Sequence, residues 1–200
     1  MTDHTTLKMH REHVRVTDRD MINAMLDMTS VCNVALHDEP YPYTVPMNFG
    51  YEWVGDELVF WLHMAVDGHR IELIKQNPKV AVNVHVFLDR VGHKPFRREA
   101  HDYRSVNAFG EAQILNPYDE PDEYLRGFGI FCQHTGRPAP KKIIPDWYKR
   151  LLILKITCPA ELVMGKTQYD CFGVEDIPIP SIEDVDAGNC NDPFRGQPTK

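Results

Sequence analysis

Residues 80–87 place Val80, Val82, Val84 and Val86 in alternation with Ala81, Asn83, His85 and Phe87. Successive side chains of an extended strand point to opposite faces, so this stretch carries one wholly β-branched apolar face. A single strand cannot bury such a face or pair its own backbone, so the chain must build a sheet around it.

Other segments supply the rest of that sheet. Residues 31–36 are mostly apolar, and residues 41–51 put Tyr41, Tyr43, Val45, Met47, Phe49 and Tyr51 at alternate positions, with Thr44, Asn48 and Gly50 on the opposite face. Residues 58–63 are apolar on both faces, which predicts a central barrel strand covered by a helix or by another subunit. Residues 103–115, interrupted by Gly110, and residues 151–156 complete the set. Turn signals at Asp38-Glu39-Pro40 and Val54-Gly55-Asp56 separate the first three strands and predict an antiparallel meander.

Helices fit between and around these strands. The spacing of Met21, Ile22, Met25, Leu26 and Met28 predicts one over about 18–28, opened by a capping box of Thr17 and Asp20. A second covers 68–76, with Asp67 as its cap and Asn77-Pro78 as its stop. A third opens at Pro121 and ends at Gly136, with Tyr124, Leu125, Phe128, Phe131 and Cys132 as its apolar stripe. Gly127 and Gly129 weaken that helix unless something packs closely on them.

Composition narrows the function. A chain of 200 residues with 42% hydrophobic content suits one domain with a tail. The net charge of −7 argues against a general nucleic-acid binder. Cys32, Cys132, Cys158, Cys171 and Cys190 show no CxxC spacing, so neither a disulfide framework nor a zinc ribbon is indicated, and a reducing, cytoplasmic setting fits. No apolar run is long enough for a signal core or a bilayer span, which predicts a soluble protein. No P-loop, GxGxxG or GxSxG element is present. His10 and His13 belong to a flexible start over 1–13, and the proline- and acid-rich residues 171–200 read as a tail over a surface or a partner subunit.

Candidate binding residues cluster between Val45 and Arg70. Cations are disfavoured in a helix's first turn by about 0.3–1 kcal/mol each, so His69 and Arg70 at the start of the second helix make sense if an anion sits among them. A phosphate is the natural choice, with Gly68 permitting close approach and Arg70 offering a bidentate fork. The bland alternative is that Arg70 pairs locally with Asp67 or Glu72 and His69 is solvated. Pro46 deletes a ladder donor and marks an edge or bulge, an opening that admits a flat ligand. Beside it, Asn48 both donates and accepts, as the pyrimidine edge of a flavin requires, or else it satisfies backbone groups of a turn. His63 ends the most apolar strand within reach of the same ligand, as a contact or as a catalytic group. The basic residues Arg90, His93, Lys94, Arg97, Arg98 and His101 form a solvated loop or one that attracts a phosphorylated small molecule.

The stretches VTDRDMINAMLD, YTVPMNFGYEWVGDELVFWLHMAVDGHRIELIKQNPKVAVNV and YRSVNAFGEAQIL resemble the FMN-binding split-barrel proteins of the pyridoxamine 5′-phosphate oxidase-like superfamily, with the nitroimidazole-resistance flavoproteins as the nearest branch. The resemblance covers about residues 14–166. It implies a mainly β fold with flanking helices, a six-stranded antiparallel split β-barrel over 14–170, and a homodimer holding FMN at its interface. By the same resemblance Val45, Pro46, Met47 and Asn48 lie along the isoalloxazine ring. His63, Met64 and Ala65 lie beneath its ribityl and pyrimidine side, Gly68, His69 and Arg70 form the phosphate turn, and Ser105 belongs to a strand approaching the cofactor. Relatives commonly carry Arg then Lys where this chain has His69 then Arg70, which weakens one phosphate contact. The implied activity passes electrons from a nicotinamide nucleotide or another donor to a small acceptor such as a nitroaromatic. His63 then lies near that acceptor, and the basic loop assists the donor's phosphates. Haem or a deazaflavin is the alternative cofactor, with His85, His93 and His101 as axial candidates, and a non-catalytic flavin-binding module is the alternative role.

Overall fold

A computed structural model of the chain describes residues 15–88, 102–142 and 150–167. The alternating valines build what their spacing demands: Val80, Val82 and Val84 face the interior of a β-barrel, on the strand Lys79–Leu88 (β5). Its companions are Val31–Leu36 (β2), Tyr43–Val54 (β3), Glu57–Ala65 (β4), Asp102–Leu115 (β6) and Leu151–Pro159 (β7). All pairings are antiparallel, in the order β6-β5-β2-β3-β4-β7, and β7 pairs back onto β6 to close a six-stranded barrel. These are the six strands that the sequence predicts.

Two further strands escape the sequence pattern. Arg15–Val16 (β1) pairs with Val163–Thr167 (β8), and β8 pairs with β6. Strand β6 therefore changes partner along its length: Arg104–Ala108 lie against β8, and Glu111–Leu115 lie against β7. Gly110 sits at the changeover, where an added Cβ would lie 2.1 Å from the Thr157 carbonyl oxygen. That contact explains the glycine that interrupts the strand.

Helix α1 (Arg19–Leu26) sends Ile22, Met25 and Leu26 into the barrel interior. Its cap differs from the expected box: the Asp18 carboxylate accepts from the Met21 backbone N–H, and Thr17 plays no such part. The whole cap is shifted by one residue, so the amide satisfied is that of Met21 rather than Asp20. Helix α2 (His69–Gln76) adds Ile71, Leu73 and Ile74 to the interior. Here too the cap is displaced, from Asp67 to Gly68, which offers no side-chain acceptor.

Helix α3 (Pro121–His134) covers the outer side of β3, β4 and β7. Val59 and Trp61 of β4, Ile153 of β7 and Leu115 of β6 form a second apolar cluster with Tyr124, Phe128, Phe131 and Cys132. So the strand apolar on both faces is covered by a helix of its own chain. Trp61 is fully buried, donates its indole N–H to Glu52 at 3.0 Å, and has Arg126 and Lys155 over its ring at 5.8 and 5.7 Å.

The two helical glycines have opposite roles. An added Cβ at Gly127 would lie 2.1 Å from the Trp61 ring, whereas at Gly129 the nearest atom is Ala139 Cβ at 3.9 Å. Gly127→Ala is expected to destabilise by about 1–3 kcal/mol through overpacking. Gly129→Ala is expected to stabilise by up to about 1 kcal/mol through helix propensity. Denaturant titration of both variants checks the pair, and two shifts of the same sign would contradict this packing.

Candidate functional site

The ladder between β3 and β4 runs from Val54 opposite Glu57 to Phe49 opposite Leu62, and there it stops. Beyond that point the strands part. Tyr43–Asn48 continue along β2, while His63–Ala65 continue along β7. The result is a fork in the barrel wall, with Val45–Asn48 on one lip, His63–Ala65 on the other and the start of α2 a few residues on. Pro46 lies on the lip that β4 has left, where a missing N–H costs no ladder bond on that side.

Around the fork the side chains divide by strand geometry. Val45, Met47 and Met64 pack into the barrel interior, so Met47 and Met64 present backbone rather than side chain to a ligand outside. Pro46, Asn48 and Ala65 are exposed. Asn48 donates its amide to the Ser30 carbonyl at 3.1 Å, the backbone-satisfying role, and its carboxamide oxygen has no partner among the described residues. Ser105 lies elsewhere, on β6, separated from β3 by β5 and β2. It is the one polar residue buried among those described, in register with His85 and Lys166.

At the start of α2 the two cations are used differently. His69 Nε2 lies 2.8 Å from Asp38 Oδ2, with the ring edge-on to Tyr43. That hydrogen bond, with the positive charge of the imidazole, holds the Asp38 carboxyl below the usual carboxylate range. Half-buried Arg70 makes no ion pair or hydrogen bond among the described residues, with Asp67 and Glu72 included. Gly68 adopts φ +116°, and nothing lies within 4 Å of where its Cβ would be. An uncapped helix start and an uncommitted guanidinium are the elements of an anion site. Of the predicted phosphate pair, Arg70 is available, and His69 is engaged by Asp38.

His63 lies on the outer side of β4, between this helix start and the end of α3. Its ring meets Phe131 edge-on at 4.8 Å and lines a cleft of roughly 290 Å³ with Phe128, Cys132, Arg137, Leu151 and neighbouring prolines. Burial depresses the His63 pKa below its ordinary 6.5, and the positive charges of Arg137 and Arg70 depress it further. Burial likewise raises the Cys132 thiol, which keeps it protonated.

Arg137 is the site residue that sequence reasoning missed. Gly136, at φ +70°, ends α3 and turns the chain so that Arg137 comes over the cleft. The only signal was an arginine held between a helix-stopping glycine and Pro138. The basic residues between 90 and 101 and the tail after 170 lie outside the described residues. Of the axial candidates His85 alone is described; it is exposed and bonds Asn83 Oδ1 through Nδ1 at 3.0 Å. No group of three or more metal-ligating side chains comes together among the described residues. No helix among them is long and apolar enough to cross a membrane.

Residues 18–142 match the family model for pyridoxamine 5′-phosphate oxidase. No curated protein matches the chain. Among solved structures, the chain is similar to a protein assigned to 5-nitroimidazole antibiotic resistance in Bacteroides thetaiotaomicron, with 24% identity, coverage of 76% of this chain and 86% of that one, and a TM-score of 0.56. It is also similar to an FAD- and haem-binding protein of Mycobacterium smegmatis, at 21% identity, 88% and 80% coverage and a TM-score of 0.57. A flavocytochrome of Azotobacter vinelandii follows at 16% identity, 90% and 95% coverage and a TM-score of 0.59. At these identities the likeness concerns the fold.

The depressed His63 pKa has a consequence for stability. The unfolded chain takes up this proton near pH 6.5 and the folded chain only at lower pH. In that window the unfolded state binds more protons, so stability falls as pH drops through it. His63→Gln is expected to flatten the stability profile below pH 6.5 and to leave it unchanged at pH 8. Denaturant midpoints across pH 5–8 check this, and an unaltered acid slope would contradict the assigned environment.

Proposed function

Because the chain belongs to the pyridoxamine 5′-phosphate oxidase family, we propose that it is an FMN-binding oxidoreductase acting as a homodimer in the cytoplasm. One observation carries this reading. Arg70, a guanidinium without a carboxylate partner among the described residues, stands on an uncapped helix start beside a fork that exposes backbone on both lips.

The residues present suit a flavin mononucleotide. A terminal phosphate would be held by Arg70 and the first amides of α2, where dipole and charge act together. The lip Val45–Asn48 supplies strand backbone, and the Asn48 carboxamide oxygen is left to accept from a ring N–H. Ala65 on the other lip leaves space for a chain of polyol character. His69 contributes through Asp38, by fixing the loop before β3 to the helix start.

When bound, the flavin supplies the redox chemistry, moving electrons from a nicotinamide nucleotide or another donor to a small acceptor such as a nitroaromatic. The protein's own part is to bind, orient and exclude water. His63, uncharged at neutral pH, borders the space in which an acceptor would sit and can donate or accept a hydrogen bond there.

The homodimer reading rests on a sheet face over which no helix packs among the described residues. Asn33, Asn83 and Asn107 lie side by side across β2, β5 and β6, and Asn83 donates to Asn107 Oδ1 at 2.8 Å. Ser105 is on the same outer side, buried between His85 and Lys166, and a second copy seated on this face would lie over it. The buried free cysteines Cys32, Cys132 and Cys158 accord with a reducing compartment.

Untagged protein is expected to be yellow as purified, with a flavin absorbance spectrum and FMN as the released cofactor. Arg70→Ala should weaken FMN binding about 10- to 150-fold, since hydrogen bonds to charged groups are worth about 1.5–3 kcal/mol. Titration of apoprotein with FMN gives the comparison. A Soret band in place of flavin, or full FMN affinity in the variant, would overturn the assignment.

A further inference from the structure

Beside the proposed flavin site lies a cleft whose lining contradicts the overall charge of the chain. The protein is acidic, at −7, yet none of the described residues lining this cleft is acidic, and two of them are Arg137 and His63. Arg137 is exposed at the cleft's edge, and its guanidinium makes no hydrogen bond or ion pair among the described residues. Its own backbone is fixed: the Arg137 N–H donates to the Cys132 carbonyl at 2.7 Å, directly after the left-handed Gly136. The position is therefore held while the charge is left unanswered.

Opposite the charged end the walls are flat and apolar. Phe128 and Phe131 stack at 6.0 Å with their planes 13° apart, and Leu151 and Pro138 complete that side. Both rings are buried, so they give the cleft a firm apolar floor against which a ligand body can pack, and a volume of roughly 290 Å³ limits it to a small one.

We infer that this cleft is the acceptor site and that it takes a small planar carboxylate, with Arg137 binding the carboxylate, His63 donating to it and the Phe128–Phe131 wall holding the ring. This deepens the flavin reading and rests on it for the word acceptor; the anion site itself does not depend on it. Arg137 is the residue that selects for charge, because its guanidinium can form a charge-assisted pair with a carboxylate and not with a neutral ligand of the same shape. A bound carboxylate also reverses the surplus of positive charge around His63, so that the imidazole holds its proton more readily.

Benzoate and benzamide are the probes, shaped alike and differing in charge. Each is titrated into the protein as purified, with binding read by calorimetry and by the NMR signals of the His63 ring. Benzoate is expected to saturate, to raise the His63 titration midpoint, and to bind at least tenfold more tightly than benzamide. Arg137→Ala should lose at least tenfold in benzoate affinity with its flavin content and unfolding midpoint unchanged, and Arg137→Lys should recover part of the loss. Equal affinity for the two probes, or undiminished benzoate binding by Arg137→Ala, overturns the inference even if the protein is yellow. Arg137-dependent benzoate binding by a colourless protein would keep the anion site and refute the flavin reading instead.

Discussion

Barrel closure depends on one long strand serving two partners on the same edge. Strand β6 is paired with β5 from Asp102 to Glu111, while its other edge passes from β8 to β7 at Gly110. Only a residue without a side chain allows the Thr157 carbonyl to come so close, and the short 3₁₀ turn Ala160–Leu162 returns the chain from β7 to β8 across that point. Because β7 is held there, it can also pair with β4, and six strands enclose the interior into which α1 and α2 send their apolar residues.

A second constraint follows from the first. Strand β4 is drawn toward β7 along all nine of its residues, whereas the first half of β3 is held by β2. The two strands cannot stay paired throughout, so they divide after Phe49 and Leu62. The opening is thus a product of topology rather than of loop flexibility, and its lips are rigid ladder strands. Sites built on such elements hold their geometry better than sites built on loops.

Much of this could be read from the residues. Period-2 alternation marked the barrel strands, and Pro121 and Gly136 bracketed α3 correctly. Strand β1 has only two residues, too few to show any period, and β8 is legible only by its pairing with β6. The caps were misplaced by one residue because Thr17, Asp18, Asp67 and Gly68 are all acceptable there, and the choice is made by backbone geometry. In the candidate site, Arg70 and His63 were visible as anomalies in local pattern. The tie from His69 to Asp38 spans 31 residues, and Arg137 reaches the cleft only because α3 docks on β4; no local pattern encodes either.

The sheet ends in β1, a strand of two residues, and at its opposite end β7 folds back onto β6. Among the described residues, then, the unpaired backbone is confined to short stretches, chiefly the two lips of the fork and the end of β5 beyond Asn83 on its β2 side. Stretches of six residues or fewer give strand addition, the route to runaway fibrils, little backbone to extend.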